Sequence, residues 1–230
     1  MQRTSDLSAF YSSLNDLAAR TGGLRRLTDC SGRLNWPERG VYFFFEPGEA
    51  HGSLGRVVRV GTHALTSNSR TTLWKRLSQH RGTRSPLGGN HRGSIFRLLV
   101  GEALIQRDPD PTVVSWGTTR PLKDAEKVAE KQHEARVSRY LGAASLLVLS
   151  INDQPGPDSL RGHIERNSIA LLSNFRTDTG IGASNGWLGQ YSGREKVRRS
   201  GLWNQRHVDE AYDPAFLDVF KGLVEQVAPV

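Results

Sequence analysis

Along the chain, apolar residues fall into runs whose spacing names the elements they build. Leu7, Phe10, Leu14 and Leu17 recur at helical spacing between Ser5 and Arg20, and Thr21-Gly22-Gly23 follows as a stop. This is an amphipathic helix packed on the main body. Gly40-Val41-Tyr42-Phe43-Phe44-Phe45, ended by Glu46-Pro47-Gly48, is a short β-favouring run, and Arg56-Val57-Val58-Arg59-Val60-Gly61 is another. The segment between them is rich in turn residues, which predicts an antiparallel pair. Thr71 to His80 turns helical, glycine-rich residues 81–93 form a loop, and Ser94 to Ile105 reads as a helix in preference to a buried strand. Two prolines and several breakers make residues 107–120 a connector. The helix formers that follow stop at Gly142 and leave Ala144 to Ile151 as a third strand. After a turn at 152–157, Asp158 or Ser159 caps a helix running to about Ser173. The rest is glycine-rich and irregular until Pro214, beyond which Phe216, Val219, Phe220, Leu223 and Val227 mark a last amphipathic helix. Strands and helices mixed in this order predict an α+β fold: a small, three-stranded, mostly antiparallel sheet flanked by helices.

Composition narrows the class. With 37% apolar residues in 230, the chain can bury one sizeable core. No run approaches the ~18 apolar residues of a membrane span, and MQRTSDLSAF lacks the apolar centre of a secretory leader, so a cytoplasmic protein with no membrane partner is expected. The single cysteine, Cys30, cannot form an internal disulfide or a thiolate zinc cluster. Thirty-one Lys and Arg against 23 Asp and Glu give a net charge of +8. Much of that excess is arginine, whose planar fork matches phosphate oxygens and favours a polyanionic partner.

Two helices carry candidate chemistry. Arg76 and His80 lie one turn apart, beside the Leu73–Leu77 stripe, at the margin of the core. Each alone has an ordinary explanation, as a snorkelling arginine and as a histidine bonded to the last carbonyls of its helix. On the later helix Glu165 projects between Ile169 and Leu172, inside the apolar arc. A carboxylate so placed needs a partner: an arginine such as Arg161, a hydrogen-bonding cluster or a divalent cation. His163-Ile164-Glu165 and His207-Val208-Asp209-Glu210 lack the ligand count of a closed metal site, and no phosphate-binding GxxxxGK[ST] loop or GxSxG elbow is present. Residues 88–93, GGNHRG, can form a backbone nest for a phosphate or simply a loop.

In this order the pieces resemble the GIY-YIG nuclease superfamily. Gly40-Val41-Tyr42 is similar to the GIY element, Val60-Gly61 to the end of YIG, Leu73 to His80 to the family's helix with its arginine and histidine, and Ser159 to Asn167 to the helix that brings a metal-binding glutamate. Arg59 stands where the family has the second tyrosine, and 16 residues separate it from Tyr42. The resemblance implies a nuclease domain at 37–175 with an insertion around 106–142, an N-terminal helical extension at 1–36, and a C-terminal extension at 176–230. It further implies a divalent-metal-dependent endonuclease, with DNA favoured over RNA. Its implied catalytic set is Tyr42, Arg59, Arg76, His80, Glu165 and Asn174, with Asn167 and Asn185 as competing asparagines. Glu165 would hold Mg²⁺ or Mn²⁺, and Arg81, Arg84, His91 and Arg92 would bind nucleic acid. In the implied reaction a water activated near Tyr42 attacks phosphorus while Arg76 stabilises the developing charge; His80 orients the water or relays its proton. A phenol is a weak base at neutral pH unless a cation assists it, a task open to Arg59 or His80. Two other readings remain: a catalytically silent nucleic-acid-binding module of this fold, and an unrelated α+β protein in which Arg76 and Glu165 form a buried ion pair.

Overall fold

The two phenylalanine- and valine-rich runs show no alternation of apolar and polar residues because both faces of the strands they form are covered, Arg59 being the one charged residue within those strands. A computed structural model describes residues 2–229. In chain order it runs α1 (Gln2–Thr21), β1 (Arg25–Arg26), β2 (Gly40–Phe45), β3 (Val57–Gly61), α2 (Leu73–Arg81), β4 (Thr83–Arg84), β5 (Leu87–Gly88) and α3 (Ile95–Arg107). There follow α4 (Asp124–Ala143), β6 (Ser145–Ser150), α5 (Leu160–Leu172), α6 (Glu195–Ser200) and α7 (Phe216–Glu225). Every residue of β2 and β3 is buried.

The three expected strands share one antiparallel sheet, and a fourth joins it, in the order β1-β6-β2-β3. The added strand is only Arg25–Arg26, two polar residues whose backbone pairs with Leu146 and Ser145 and which no apolar pattern announces. Likewise, the glycine-rich loop contains a small hairpin, β4–β5, and α6 lies in the stretch read as irregular. Ser94 to Ile105 is helical, as its period favoured, with Ser94 capping it by accepting from Arg97 N–H.

Alternation sends side chains to two cores. Val41, Phe43, Phe45, Val60, Leu147 and Leu149 pack with α1, α5 and α7. Tyr42, Phe44, Val58 and Leu146 pack with α2, α3, α4, Trp187 and Trp203. Pairing shifts between Phe44, opposite Arg59, and Phe45, opposite Val57, so Val58 is a bulge residue. That extra residue puts Val58 and Arg59 on the same face, the face of Tyr42. The terminal segments belong to these cores: Tyr11 of α1 accepts from Val57 N–H at 3.1 Å, and Phe10 stacks on Phe220 of α7 with ring centroids 5.0 Å apart. Along the outer edge of β3, Trp203 N–H donates to Val58 O, while the Asn204 amide accepts from Val60 N–H and donates to Val60 O.

Glu46, just beyond β2, fastens the C-terminal segment. Its carboxyl accepts from Trp203 Nε1 at 2.8 Å, Trp187 Nε1 at 3.0 Å and Tyr140 Oη at 2.8 Å. Burial pushes Glu46 from 4.5 up to about 7, against the pull of the Tyr140 and Trp203 hydrogen bonds. Because the folded value lies above the unfolded one, this group's contribution is complete below about pH 4.5 and fades as pH rises through about 7. Glu46→Gln is expected to remove from the stability–pH curve a component of about 3 kcal/mol between pH 4.5 and 8, measurable by urea unfolding across that range. An identical pH dependence in both proteins would reject the role.

Candidate active site

Tyr42 points from β2 toward the last turn of α2, where His80 is wholly buried. Tyr42 Oη and His80 Nε2 lie 2.9 Å apart, and His80 Nδ1 lies 2.8 Å from Ser94 Oγ. His80 therefore bonds two side chains of other elements and does not cap its own helix. Burial, reinforced by the positive charges of Arg76, Arg59 and Arg97, pulls His80 well below the ordinary imidazole value, so the ring is neutral at pH 7.

Two glycines make room for this phenol and its strand. A Cβ on Gly61, which pairs with Tyr42, would sit 2.5 Å from Tyr42 Cε2, Cζ and Oη; one on Gly40 would sit 2.4 Å from Leu149 O. These are the glycines of the two short motifs, and the contacts supply their physical reason. Gly61→Ala is expected to displace the Tyr42 ring and cost about 1–3 kcal/mol, read by thermal melting; an unchanged melting temperature would show that the ring can step aside.

Arg59 shares the face of Tyr42. Its guanidinium lies 4.8 Å from the centre of the Phe96 ring, donates through Nη1 to Trp203 O at 2.9 Å, and leaves Nε buried without a partner among the described residues. Burial lowers its pKa, and the neighbouring Tyr42 and Glu165 act against that shift. Arg76, partly exposed on α2, donates to Gln79 Oε1 at 3.0 Å and adds its charge to the same site, where His80, Arg59 and Glu165 all feel it.

Glu165 arrives from the opposite face of the sheet, around the end of β3. Its Oε1 accepts from Thr62 N–H at 3.0 Å, and Thr62 Oγ1 in turn donates to Gly40 O at 2.8 Å. Arg161, the near candidate for an ion pair, is instead bonded to Asp153 and to the carbonyls of His63 and Ala64. Glu165 thus has no salt bridge among the described residues. Burial raises its pKa, opposed first by Arg59, then by the Thr62 N–H, His207 and Arg76. One carboxylate oxygen is fixed and the other makes no hydrogen bond to the described residues. That donor set fits a hard cation that keeps waters and takes substrate phosphate, as Mg²⁺ does. Among the described residues no three His, Cys, Asp or Glu side chains converge into a protein cage.

The structure brings Tyr42, Arg59, Arg76, His80 and Glu165 together and leaves Asn174 aside. Both ends of the Asn174 amide are used within its own loop, Nδ2 on Ile181 O at 3.1 Å and Oδ1 from Thr179 N–H at 2.7 Å. Asn167 is spent on His163 O and Asp213 N–H, and Asn185 is exposed. Of the expected nucleic-acid contacts, His91 is corrected: it is buried, stacked on Trp116, with Nδ1 on Glu134 and Nε2 accepting from Gly117 N–H. Arg81 is tied to Cys30 O and packed over Trp74, Arg92 forks onto Glu130, and Arg84 is exposed. Cys30 is buried, and burial pushes its thiol up to about 11.

Sequence reasoning missed three contributors. Ser94 was legible as a serine before an apolar run, but its bond to His80 was not. Asn204 and His207 lie in a stretch without periodicity. His207 adopts a left-handed backbone, φ 64°, and its Nδ1 lies 2.9 Å from Glu210 Oε1. No helix among the described residues is long and apolar enough to cross a membrane. No curated protein and no solved structure matches the chain. A family model described as a GIY-YIG domain matches residues 1–230.

Proposed function

Since the chain belongs to the GIY-YIG domain family, we propose that it is a divalent-metal-dependent endonuclease that hydrolyses phosphodiester bonds in nucleic acid, DNA in preference to RNA. Nuclease-type chemistry is what the family carries. The observation that supports it most in this chain is the state of Glu165: a half-buried carboxylate that, among the described residues, has no salt bridge, one oxygen fixed and one free, and that faces Arg59 and Arg76.

The chain's own groups divide the work. With Nδ1–H donated to Ser94 Oγ, the neutral His80 ring accepts the Tyr42 hydroxyl at Nε2. Tyr42 can then take a proton from the attacking water as its own passes to His80 Nε2. Arg76, free enough to reach substrate, binds the phosphate oxygens as charge builds on them. When bound at Glu165, Mg²⁺ or Mn²⁺ supplies Lewis-acid stabilisation of negative charge on the phosphate and the leaving oxygen.

The test is a panel of labelled single-stranded, duplex and branched DNA and RNA with and without Mg²⁺. Metal-dependent cleavage of a DNA member is expected; no cleavage of any member would sink the enzyme reading. Arg59 in place of the family's tyrosine favours a second reading, a silent binding module, for which the same panel would return binding without cleavage. Binding is expected to weaken steeply with salt, because the +8 charge acts through counterion release. Fluorescence anisotropy measures this, and affinity indifferent to salt would count against both readings.

A further inference from the structure

The chemistry above leaves without a task the lobe made by β4–β5, the turn at His91–Gly93 and α4. A groove of about 790 Å³ runs through it, walled by Thr83 and Gly88 of the hairpin on one side and by Lys127 and Lys131 of α4 on the other. We propose that this groove holds the nucleic-acid strand that flanks the scissile phosphate, an inference that rests on the nuclease reading of the site.

Position is the first argument. The groove is lined at one end by Gln79 and Gly93, the two residues to which Arg76 Nη1 donates, at 3.0 and 3.5 Å. A strand whose phosphate lies on Arg76 therefore continues into it.

Charge is the second. Glu130 and Glu134 also line the groove, but Arg92 engages the first and Arg97 with His91 the second. The charges left over are cationic. Lys131 is exposed and makes no ion pair among the described residues, and Lys127 meets only the exposed Asp124. Among the described residues no aromatic ring lines the groove, so a strand there is held by its phosphates and not by stacked bases.

Rigidity is the third. Arg97, fully buried, donates Nη1 to His80 O at 2.9 Å, Nε to Glu134 at 3.0 Å and Nη2 to Ser138 Oγ at 2.8 Å, and Ser138 Oγ donates to Gly88 O at 2.6 Å. A Cβ on Gly82 would fall 2.0 Å from Gly88 O, and one on Gly89 2.2 Å from Arg97 Cζ. The groove and His80 are thus built on one buried guanidinium, which fixes the path of the strand relative to the reacting atoms.

The test is the double charge reversal Lys127→Glu with Lys131→Glu on the exposed face of α4. Cleavage kinetics and anisotropy would be measured on labelled oligonucleotides, with thermal melting as the control for folding. KM is expected to rise about tenfold or more with kcat within about twofold of wild type, and the slope of log affinity against log salt to shrink by about 1.5, two phosphate contacts' worth. The milder Lys→Ala pair should move both quantities in the same direction by less. Unchanged KM and slope beside an active wild type would overturn the groove and leave the nuclease reading standing. Loss of kcat at constant KM would also overturn it. If wild type binds without cleaving, the catalytic reading falls, and the change in binding and slope still decides the groove. A wild type that neither binds nor cleaves would overturn both.

Discussion

Glu165→Gln is expected to abolish divalent-dependent cleavage, lowering the chemical step by several orders of magnitude, while the fold and nucleic-acid binding persist. The amide oxygen of Gln can still accept from Thr62 N–H, so the local geometry keeps its anchor. What is lost is the charge that would hold the cation. Since burial raises the pKa of this carboxyl, its neutral replacement relieves a desolvation cost, and stability at pH 7 should be unchanged or slightly higher. Cation affinity of the wild type should rise with pH through that elevated value, as the carboxylate forms. Binding loses one repulsive charge and should hold or improve. Were Glu165 half of a structural ion pair, the same change would cost about 3–5 kcal/mol, so a strongly destabilised variant with residual cleavage would remove it from the catalytic set.

Tyr42→Phe carries the second large effect. The ring stays in the core against Phe44 and His80, but the hydroxyl that meets His80 Nε2 at 2.9 Å disappears. If Tyr42 transfers the water's proton, cleavage should fall about 10²–10⁴-fold. His80 Nε2 is then buried without a partner, at a cost of about 1–3 kcal/mol. Single-turnover rates on a fully folded sample separate the two losses. A variant that melts lower yet cleaves at the wild-type rate would make the Tyr42–His80 bond a structural contact only.

The sheet was legible where local chemistry dominates. The aromatic, valine-rich and leucine-rich runs at 41–45, 57–61 and 145–151 lack the apolar–polar alternation of a half-exposed strand, and the three do share a sheet. The site was legible in part for the same reason, because helical spacing alone put Arg76 and His80 together and Glu165 inside an apolar arc. What His80 and Glu165 touch was not, since Tyr42 and Thr62 lie far from them along the chain. His80 meets a hydroxyl 38 residues earlier, and Arg161 turns from Glu165 to Asp153 because its fork also has the His63 and Ala64 carbonyls to satisfy. His91 looked like a surface base in a glycine-rich loop. Its buried acceptor, Glu134, lies on α4, 43 residues on. Asn204 and His207 lie where glycines and irregular turns erase any period, so only the closed structure sets them against β3 and near Glu165.

The hold that Trp203 and Asn204 keep on β3 spans 144 residues. Such distant closures make a chain fold slowly, because the entropy of a long loop must be overcome before the contact rewards it. During synthesis, a chain still on the ribosome would have Tyr42, Arg76 and His80 in place well before the segment that anchors Arg59 emerges. The proposed catalytic geometry therefore matures only once the segment at Trp203 and Asn204 has closed on β3, and a molecule cut ahead of Trp203 carries nucleic-acid-binding cations without an assembled centre.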